Sequence, residues 1–501
     1  MTTSGSLDAF SASPEFQSLA ADATLEAAHR LVDLAVEYLA TAGAGEGAVS
    51  RGTPPMQLAE RFDTALPWNG VPLDAVAQRL RDDVMAEANR LTHPMYAGHQ
   101  VSPPLPVAIW TEAVISALNN SQAVREMSPA GTMVERQVIR WMCTLAGFGA
   151  AGGGTFTSGG TEATLTALLA ARGRALPHAW EEGVGGDPPV VLCGAHAHYA
   201  VSRAVGIMGF GVRQAIIVPS DGYRMDARQV APMLARLRDE GRRVLAVVAT
   251  AGSTATGAFD DLATIADACE SHGTWLHVDA AHGGSALFSA RHGDRLRGIA
   301  RVDSLAWDPH KMMLMPLAAG MVLVRDAAVL DRAFAQSAPY LFHQTQGAPV
   351  LDLGPRSLQC SRRGDVLKVW ASILRYGQSG IAAFYDYLCD LTAEFHRMVA
   401  AHPRFEALHL PETNILCFRF TGGLEGGVEA SRLDECNREL RERYNASGAG
   451  WITATLLNGR RVLRVTIINP RTTREHLARM LEGLDAIGTS LIAQSRPTAP
   501  S

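Results

Sequence analysis

The sequence contains almost no lysine. Lysine and arginine together number 45 among 501 residues, and only Lys311 and Lys368 are lysines. Chemistry that requires a lysine amine therefore has two candidate positions. Lys368 lies inside a run with helical spacing, whereas Lys311 follows a short apolar run directly.

Cysteine is also sparse, and its spacing excludes two classes of protein. The seven cysteines are odd in number and widely separated, with no CxxC pair and no metal-ligand spacing. This pattern argues against a disulfide scaffold and against a metal site. We expect reduced core cysteines, as in a cytoplasmic protein.

Strong charge and long apolar runs are absent too. The net charge is -5 with a pI near 6.4, and the basic residues are scattered, which argues against nucleic acid as the main partner. There is no signal-like start and no apolar run of membrane-spanning length. We therefore expect a cytoplasmic location without membrane contact, and a small molecule or a second copy of the chain as partner.

Strand and helix patterns alternate through the middle of the chain. Short apolar, β-branched runs are separated by amphipathic runs from Gly154 to about Asp326, with loops of ordinary length. Such alternation predicts an α/β fold with a mostly parallel sheet covered on both faces. The apolar content of 47% is ample for a large core.

Two of these apolar runs end in polar residues. One ends in HVDAAHGG at 277–284, and the next ends in DPHK at 308–311, so Asp279 and Lys311 follow predicted strands. A pyridoxal phosphate enzyme requires a lysine that holds the cofactor's aldehyde as an imine. It also requires an acid that keeps the cofactor's pyridine nitrogen protonated. Asp279 could instead cap the next helix, but the residues after it are a poor helix start.

A glycine-rich turn upstream predicts an anion site. The segment 152–169, GGGTFTSGGTEATLTALL, passes from small residues directly into a strongly helical run. Free backbone amides and the helix dipole then face one spot. We expect Ser158, Gly160 and Thr161 to contact a phosphate, although such a turn alone would be weak evidence, and no Gly-Lys-Ser/Thr follows as in a nucleotide loop.

The motifs at 277–284 and 308–311 together resemble those of the group II pyridoxal-dependent decarboxylases, especially the branch that acts on glutamate, cysteine sulfinate and diaminobutyrate. The resemblance spans about residues 90–480. It implies a pyridoxal 5'-phosphate cofactor and the aspartate aminotransferase type of fold. It also implies a homodimer whose active site lies at the subunit interface.

The resemblance assigns further residues to the cofactor. His198 would stack on the cofactor ring, Ala281 would lie against the opposite face, and Thr250 would bond the phenolic oxygen. His310 would bind the phosphate or flank the lysine. The nearby His196 has no such match, and we expect it to be an ordinary packed or surface residue.

Three residues are candidates for substrate binding. Gln100 and Arg464 match a glutamine and an arginine that reach a substrate carboxylate in the family, although the spacing before Gln100 looks one residue longer. His282 stands where better-known relatives have tryptophan, tyrosine or serine. Arg464 could also be an exposed arginine on an edge strand.

Glu135 lies in the helical segment after Ser128. It could belong to an ordinary capped helix start.

The expected reaction is decarboxylation of an L-amino acid, with Lys311, His198 and Asp279 as catalytic residues. In many relatives a loop tyrosine donates a proton after carbon dioxide leaves, but no tyrosine lies between His343 and Gly354. His343, His198 or water could replace it. Two alternatives stay open: another pyridoxal phosphate reaction, such as decarboxylation coupled to oxidative deamination, and a non-catalytic protein that binds the cofactor.

We predict four segments along the chain. Residues 1–101 would form an N-terminal helical segment, 102–376 a large cofactor-binding domain and 377–490 a small C-terminal domain. Residues 491–501 would form a disordered tail.

Overall fold

The computed structural model describes residues 11–334, 351–423 and 430–494. The N-terminal part is helical. Its helices are α1 (Pro14–Asp22), α2 (Leu25–Gly43), α3 (Pro55–Phe62) and α4 (Leu73–Arg79), the last continued by a π-helix (Leu80–Met85). Side chains of Ser13 and Thr24 cap the first two helices by accepting backbone N–H bonds from Phe16 and Ala27.

A short strand and two longer helices lead into the central sheet. They are β1 (Tyr96–Ala97), α5 (Pro106–Leu118) and α6 (Pro129–Leu145). The central segment then alternates strands and helices: β2 (Gly153–Thr157), α7 (Gly160–Ala175), α8 (Ala179–Glu182), β3 (Val190–Gly194), α9 (Ala200–Ile207), β4 (Ala215–Val218), β5 (Ser220–Asp221), β6 (Arg224–Met225), α10 (Val230–Asp239), β7 (Val244–Thr250), α11 (Leu262–His272), β8 (Trp275–Asp279), β9 (Ser304–Trp307), β10 (Gly320–Val324) and α12 (Ala328–Ala333).

Seven of these strands form one sheet, in the order β2-β10-β9-β8-β7-β3-β4. Strands β4, β3, β7, β8 and β9 are parallel, and β10 is antiparallel to both β9 and β2. Every residue of β8 and β9 is buried, because helices cover both faces of the sheet. The predicted α/β fold with a mostly parallel sheet is confirmed.

The C-terminal part contains a second sheet. Its elements are α13 (Val366–Ala401), β11 (Phe405–Ala407), β12 (Ile415–Phe420), α14 (Ala430–Ala446), β13 (Trp451–Leu457), β14 (Arg460–Thr466) and α15 (Arg474–Gln494). The strand order is β1-β13-β14-β12-β11, so β1 from the N-terminal part pairs in parallel with β13.

The long helix α13 is kinked where it passes from the large sheet to the small one. Gly377 has φ 65° and ψ 176°, outside the helical region, in a conformation that glycine adopts without a steric penalty. The predicted limit between large and small domains falls beside this kink, and the domain limits stay a prediction. In the described part of the chain, no helix combines the length and apolar character needed to cross a bilayer.

Candidate active site

A cavity of about 620 Å³ opens at the carboxyl ends of the parallel strands. This is where α/β sheets place their ligands. Eleven of the predicted site residues line it: Gln100, Ser158, Gly160, Thr161, His198, Thr250, Asp279, Ala281, His282, His310 and Lys311. Arg464 is not on the cavity wall. Its Nε atom donates to the carbonyl of Ala255, next to the wall residue Thr254, at 3.2 Å.

Lys311 lies beside a buried acid. Its Nζ atom is 3.1 Å from Oδ2 of Asp308, and Nε2 of His310 lies 3.3 Å from the same oxygen. Burial of Asp308 alone would raise the pKa of its carboxyl group. The positive charge of Lys311 and the hydrogen bond from His310 outweigh that effect and lower the pKa to about 2. Asp308 is therefore ionised at neutral pH and holds the lysine in place.

Asp279 ends β8 at the bottom of the cavity. Its carboxylate accepts a hydrogen bond from the backbone N–H of Ala281 at 3.1 Å. Burial raises the pKa of Asp279, and the positive charge of Lys311 opposes the rise. The next helical turn begins at Gly283, with His282 at its N-cap position, so Asp279 does not cap it. An acid held this way can share a proton with a basic nitrogen.

The start of α7 forms a cradle of small residues. A Cβ atom on Gly160 would lie 2.9 Å from the Cβ of Ala281 and 3.1 Å from Oδ2 of Asp308, so a side chain there would fill the space. The hydroxyl of Ser158 is already engaged, because it donates to Oε2 of Glu162 at 2.6 Å. Backbone amides of the first turn face the cradle, as in other anion sites.

His198 and Thr250 follow β3 and end β7, respectively. Nδ1 of His198 accepts the backbone N–H of Ala200 at 3.2 Å, and burial lowers the pKa of the imidazole. The hydroxyl oxygen of Thr250 is buried and has no hydrogen-bond partner among the described residues. A buried hydroxyl without a partner is costly unless a ligand completes it. This orphaned hydroxyl, the Gly160 cradle and the buried acid together fit pyridoxal phosphate.

His282 is fixed by a polar contact to the C-terminal part. Its Nε2 lies 2.7 Å from Oδ1 of Asn414, whose Nδ2 donates to the carbonyl of Ile467 at 3.2 Å. The amide therefore presents its oxygen to the ring, and Nε2 of His282 carries the proton. Burial lowers the pKa of His282 to about 3, so the ring is neutral at physiological pH.

Arg464 lies in β14, between β13 and β12, and it is 6% exposed. The alternative of an exposed arginine on an edge strand is therefore wrong. Its Nη1 lies 3.3 Å from the hydroxyl of Thr453, while Nη2 has no partner among the described residues. The side-chain amide nitrogen Nε2 of Gln100 is also buried without a described partner. Two unsatisfied donors thus lie in or beside this cavity.

Glu135 does not belong to a capped helix start, which is a correction to the sequence analysis. It lies in the second turn of α6, is 1% exposed, and pairs with both terminal nitrogens of Arg362 at 2.8 Å. It also accepts the N–H of Phe156 in β2 at 3.1 Å. The buried helical positions Val138, Ile139 and Met142 follow it at helical spacing, and that pattern could have revealed Glu135 as an inward-facing acid.

Asp260 is a second residue whose role the sequence analysis missed. Asp261, next to it, caps α11 by accepting the N–H of Thr264 at 3.2 Å. Asp260 is buried and accepts the N–H groups of Thr250 and Met225, both at 2.7 Å. Burial raises its pKa to about 6, although both hydrogen bonds oppose the rise. It fixes the strand end from which Thr250 reaches the cavity.

Comparison with known proteins identifies the family of the chain. A sequence model of the pyridoxal-dependent decarboxylase conserved domain matches residues 55–421. The L-2,4-diaminobutyrate decarboxylase of Rhizobium meliloti is 35% identical over 429 residues, 84% of this chain and 83% of that protein. The mouse acidic amino acid decarboxylase is 31% identical over 448 residues, 87% of this chain and 81% of that protein.

A solved structure extends the comparison to the fold. The crystal structure of mouse CSAD has a TM-score of 0.87 and 29% sequence identity, covering 92% of this chain and 97% of that chain. The expected aspartate aminotransferase type of fold is therefore confirmed.

Proposed function

This chain belongs to the pyridoxal-dependent decarboxylase family, and from that premise we propose how its residues remove carbon dioxide from an L-amino acid. The enzyme is a carboxy-lyase that uses pyridoxal 5'-phosphate and releases an amine. One observation supports this cavity as the place of the reaction: Lys311, Asp279 and His198 all line it at the strand ends.

The cofactor, when bound, supplies an electron-withdrawing ring that accepts the electrons left behind when the carboxylate departs. Lys311 would hold it through the side-chain amine, which Asp308 already positions at 3.1 Å. Asp279 would keep a proton on the ring nitrogen. The hydroxyl of Thr250 would donate to the phenolic oxygen, which satisfies the only polar group of that side chain.

The cradle at the start of α7 would take the phosphate. Backbone amides of Gly160 and Thr161 would donate to it. Ser158 would join them after turning its hydroxyl away from Glu162. Nδ1 of His310 accepts the backbone N–H of Ala319 and its Nε2 hydrogen points to Asp308, so His310 would flank Lys311 rather than donate to the phosphate. His198 would cover one ring face, and the small side chain of Ala281 would leave room on the other. His198 or water would donate the proton that replaces the carboxylate. His343, the third candidate for this proton transfer, lies outside the described residues.

We propose an acidic L-amino acid as substrate, such as glutamate, aspartate or cysteine sulfinate. Two buried donors support this choice, since Nε2 of Gln100 and Nη2 of Arg464 both lack partners among the described residues. A substrate with two acidic groups satisfies both donors. The carboxylates of the cavity, Asp279 and Asp308, are committed to the ring nitrogen and to Lys311. A second substrate ammonium would find no free counter-charge in the described wall.

The test is turnover of a panel of L-amino acids by the cofactor-loaded protein, with carbon dioxide and product mass both measured. We expect one equivalent each of amine and carbon dioxide, and kcat/KM for glutamate, aspartate or cysteine sulfinate at least tenfold above that for L-2,4-diaminobutyrate. The reverse order would contradict the substrate class. An aldehyde product would contradict simple decarboxylation.

Arg464→Gln gives a sharper test of the substrate proposal. Because Arg464 would bind a carboxylate in both ground and transition states, we expect KM for the acidic substrate to rise at least tenfold with a smaller change in kcat. Arg460→Gln is a matched control on the same strand, because that exposed arginine pairs with Glu406 and lies away from the cavity. Equal KM values in both variants would contradict the role of Arg464.

We further propose that the enzyme is a cytoplasmic homodimer with the active site at the subunit interface. The N-terminal part leaves large apolar side chains in solvent, with Trp68 97% and Leu66 94% exposed in the single chain. A second copy would cover such surface. All seven cysteines are free thiols, which suits a reducing compartment. Light scattering at micromolar concentration should give twice the chain mass of 53.5 kDa.

A further inference from the structure

A second large cavity lies at the opposite end of β2 from the active site. Its volume is about 660 Å³. Helix α6, the turn before β2 and the segment around Arg356 form its walls. Gly154 on its wall and Ser158 on the active-site wall are four residues apart along the strand, roughly 13 Å at about 3.3 Å per residue. None of the predicted cofactor or substrate residues lines it.

Three arginines converge on this cavity: Arg136 and Arg140 from α6, and Arg356. Burial lowers the pKa of the Arg136 guanidinium, and the positive charges of Arg356 and Arg140 lower it further. Arginines placed together in this way repel one another, and partial burial weakens the screening by water. An anion bound between them would offset this repulsion.

The acids near the cavity are already paired. Glu135, on the wall, forms its ion pair with Arg362, and Asp331 pairs with Arg356 at 2.6 and 3.0 Å. Among the described residues, Arg136 and Arg140 form no ion pair. The chain between Phe334 and Leu351 contains no aspartate or glutamate in its sequence. Two positive charges at this cavity therefore have no counter-charge within residues 11–334, 351–423 and 430–494.

We propose that this cavity binds a small anion with several phosphate or carboxylate groups. The planar guanidinium groups of Arg136 and Arg140 would each form paired hydrogen bonds to such a ligand. The volume suits a small molecule rather than a single ion. Glu135 lies on the cavity wall and accepts the backbone N–H of Phe156 in β2. An anion in this cavity would therefore lie next to the strand that leads to the cradle of the active site.

The experiment is calorimetric titration of the cofactor-loaded protein with citrate and, separately, with pyrophosphate at low ionic strength. Loading fills the phosphate cradle of the active site, and the variants below distinguish this cavity from the substrate subsite at Gln100 and Arg464. We expect saturable binding of at least one probe, and the comparison of the two distinguishes a carboxylate ligand from a phosphate ligand. The variant Arg136→Gln/Arg140→Gln should weaken binding at least tenfold. Arg238→Gln, which removes one exposed arginine from α10, should leave it unchanged.

Arg140→Glu is a second variant, since that residue is exposed and its reversal should not disturb folding. It should abolish binding, with an unchanged melting temperature in the absence of probe. The proposal is overturned if neither probe saturates the wild-type protein, or if all variants bind equally. It is also overturned if the arginine variants lose only the dimer, which would mean that a carboxylate of the second copy fills the cavity.

Discussion

Oδ2 of Asp308 lies 3.1 Å from Nζ of Lys311, and the carboxylate is 2% exposed. The acid that orients the lysine therefore belongs to the fold, and its electrostatic effect can be measured without turnover.

We predict that Asp308 stabilises the protein above pH 4. Its pKa falls from 3.8 to about 2, since Lys311 and His310 favour the ionised form against the effect of burial. A depressed pKa contributes stability that is present above the unfolded value and lost as pH falls through the folded value. The contribution is about 2 kcal/mol, from 1.36 kcal/mol per pH unit. Denaturant unfolding of wild type and Asp308→Asn should show a difference that shrinks between pH 4 and pH 2; a constant difference would contradict the prediction.

Asp260 should give the opposite pH dependence. Its pKa rises from 3.8 to about 6, because the buried site disfavours the charge. The associated stability is present below pH 3.8 and lost as pH rises through 6, by about 3 kcal/mol. Asp260→Asn removes this dependence. Its unfolding free energy relative to wild type should therefore improve from pH 4 to pH 7, and a flat difference would refute the raised pKa.

Cofactor attachment at Lys311 can be tested by mass spectrometry. Reduction of the loaded protein with borohydride should leave a pyridoxyl group on the peptide that contains Lys311. Lys368 should remain unmodified, because it is fully buried between Glu112 and Asp365. Lys311→Ala should lose the bound cofactor absorbance and at least a thousandfold in kcat, whereas Lys368→Arg should keep the absorbance. Labelling at Lys368 would overturn the assignment.

The pair of Glu135 and Arg362 should be costly to break from one side. Glu135→Gln leaves the buried guanidinium without a counter-charge, for which we expect a loss of about 3 to 5 kcal/mol in unfolding free energy. The double variant Glu135→Met/Arg362→Met should lose less than the single variant, because it buries no unpaired charge. The two residues act independently if the double variant loses as much unfolding free energy as Glu135→Met and Arg362→Met lose when measured singly and added.

Strand-end patterns and the family resemblance together predicted eleven residues that line the active-site cavity. Asp279, Lys311 and Thr250 directly follow or end apolar runs, and parallel strands bring such ends to one edge of a sheet. Position at a strand end predicted Asp279 and Lys311, whereas the role of Thr250 came from the family resemblance.

Residues that act through distant partners were harder to predict. Glu135 and Arg362 are 227 positions apart, and His282 meets Asn414 across 132 positions. Arg464 was predicted as a site residue, yet only the packing of the two sheets places it behind the cavity wall. Of the adjacent acids Asp260 and Asp261, one faces the interior and the other caps α11, and their sequence positions do not reveal which does which.

The two lysines also determine how the protein can be handled. One lysine side chain lies in the active-site cavity and the other is fully buried, so the outer surface carries its positive side-chain charge on arginine and histidine. Amine-reactive cross-linkers, dyes and immobilisation resins will find no lysine on that surface. Where such reagents enter the cavity, they will act as active-site labels, and the exposed Cys360 offers a thiol for attachment in assays or imaging.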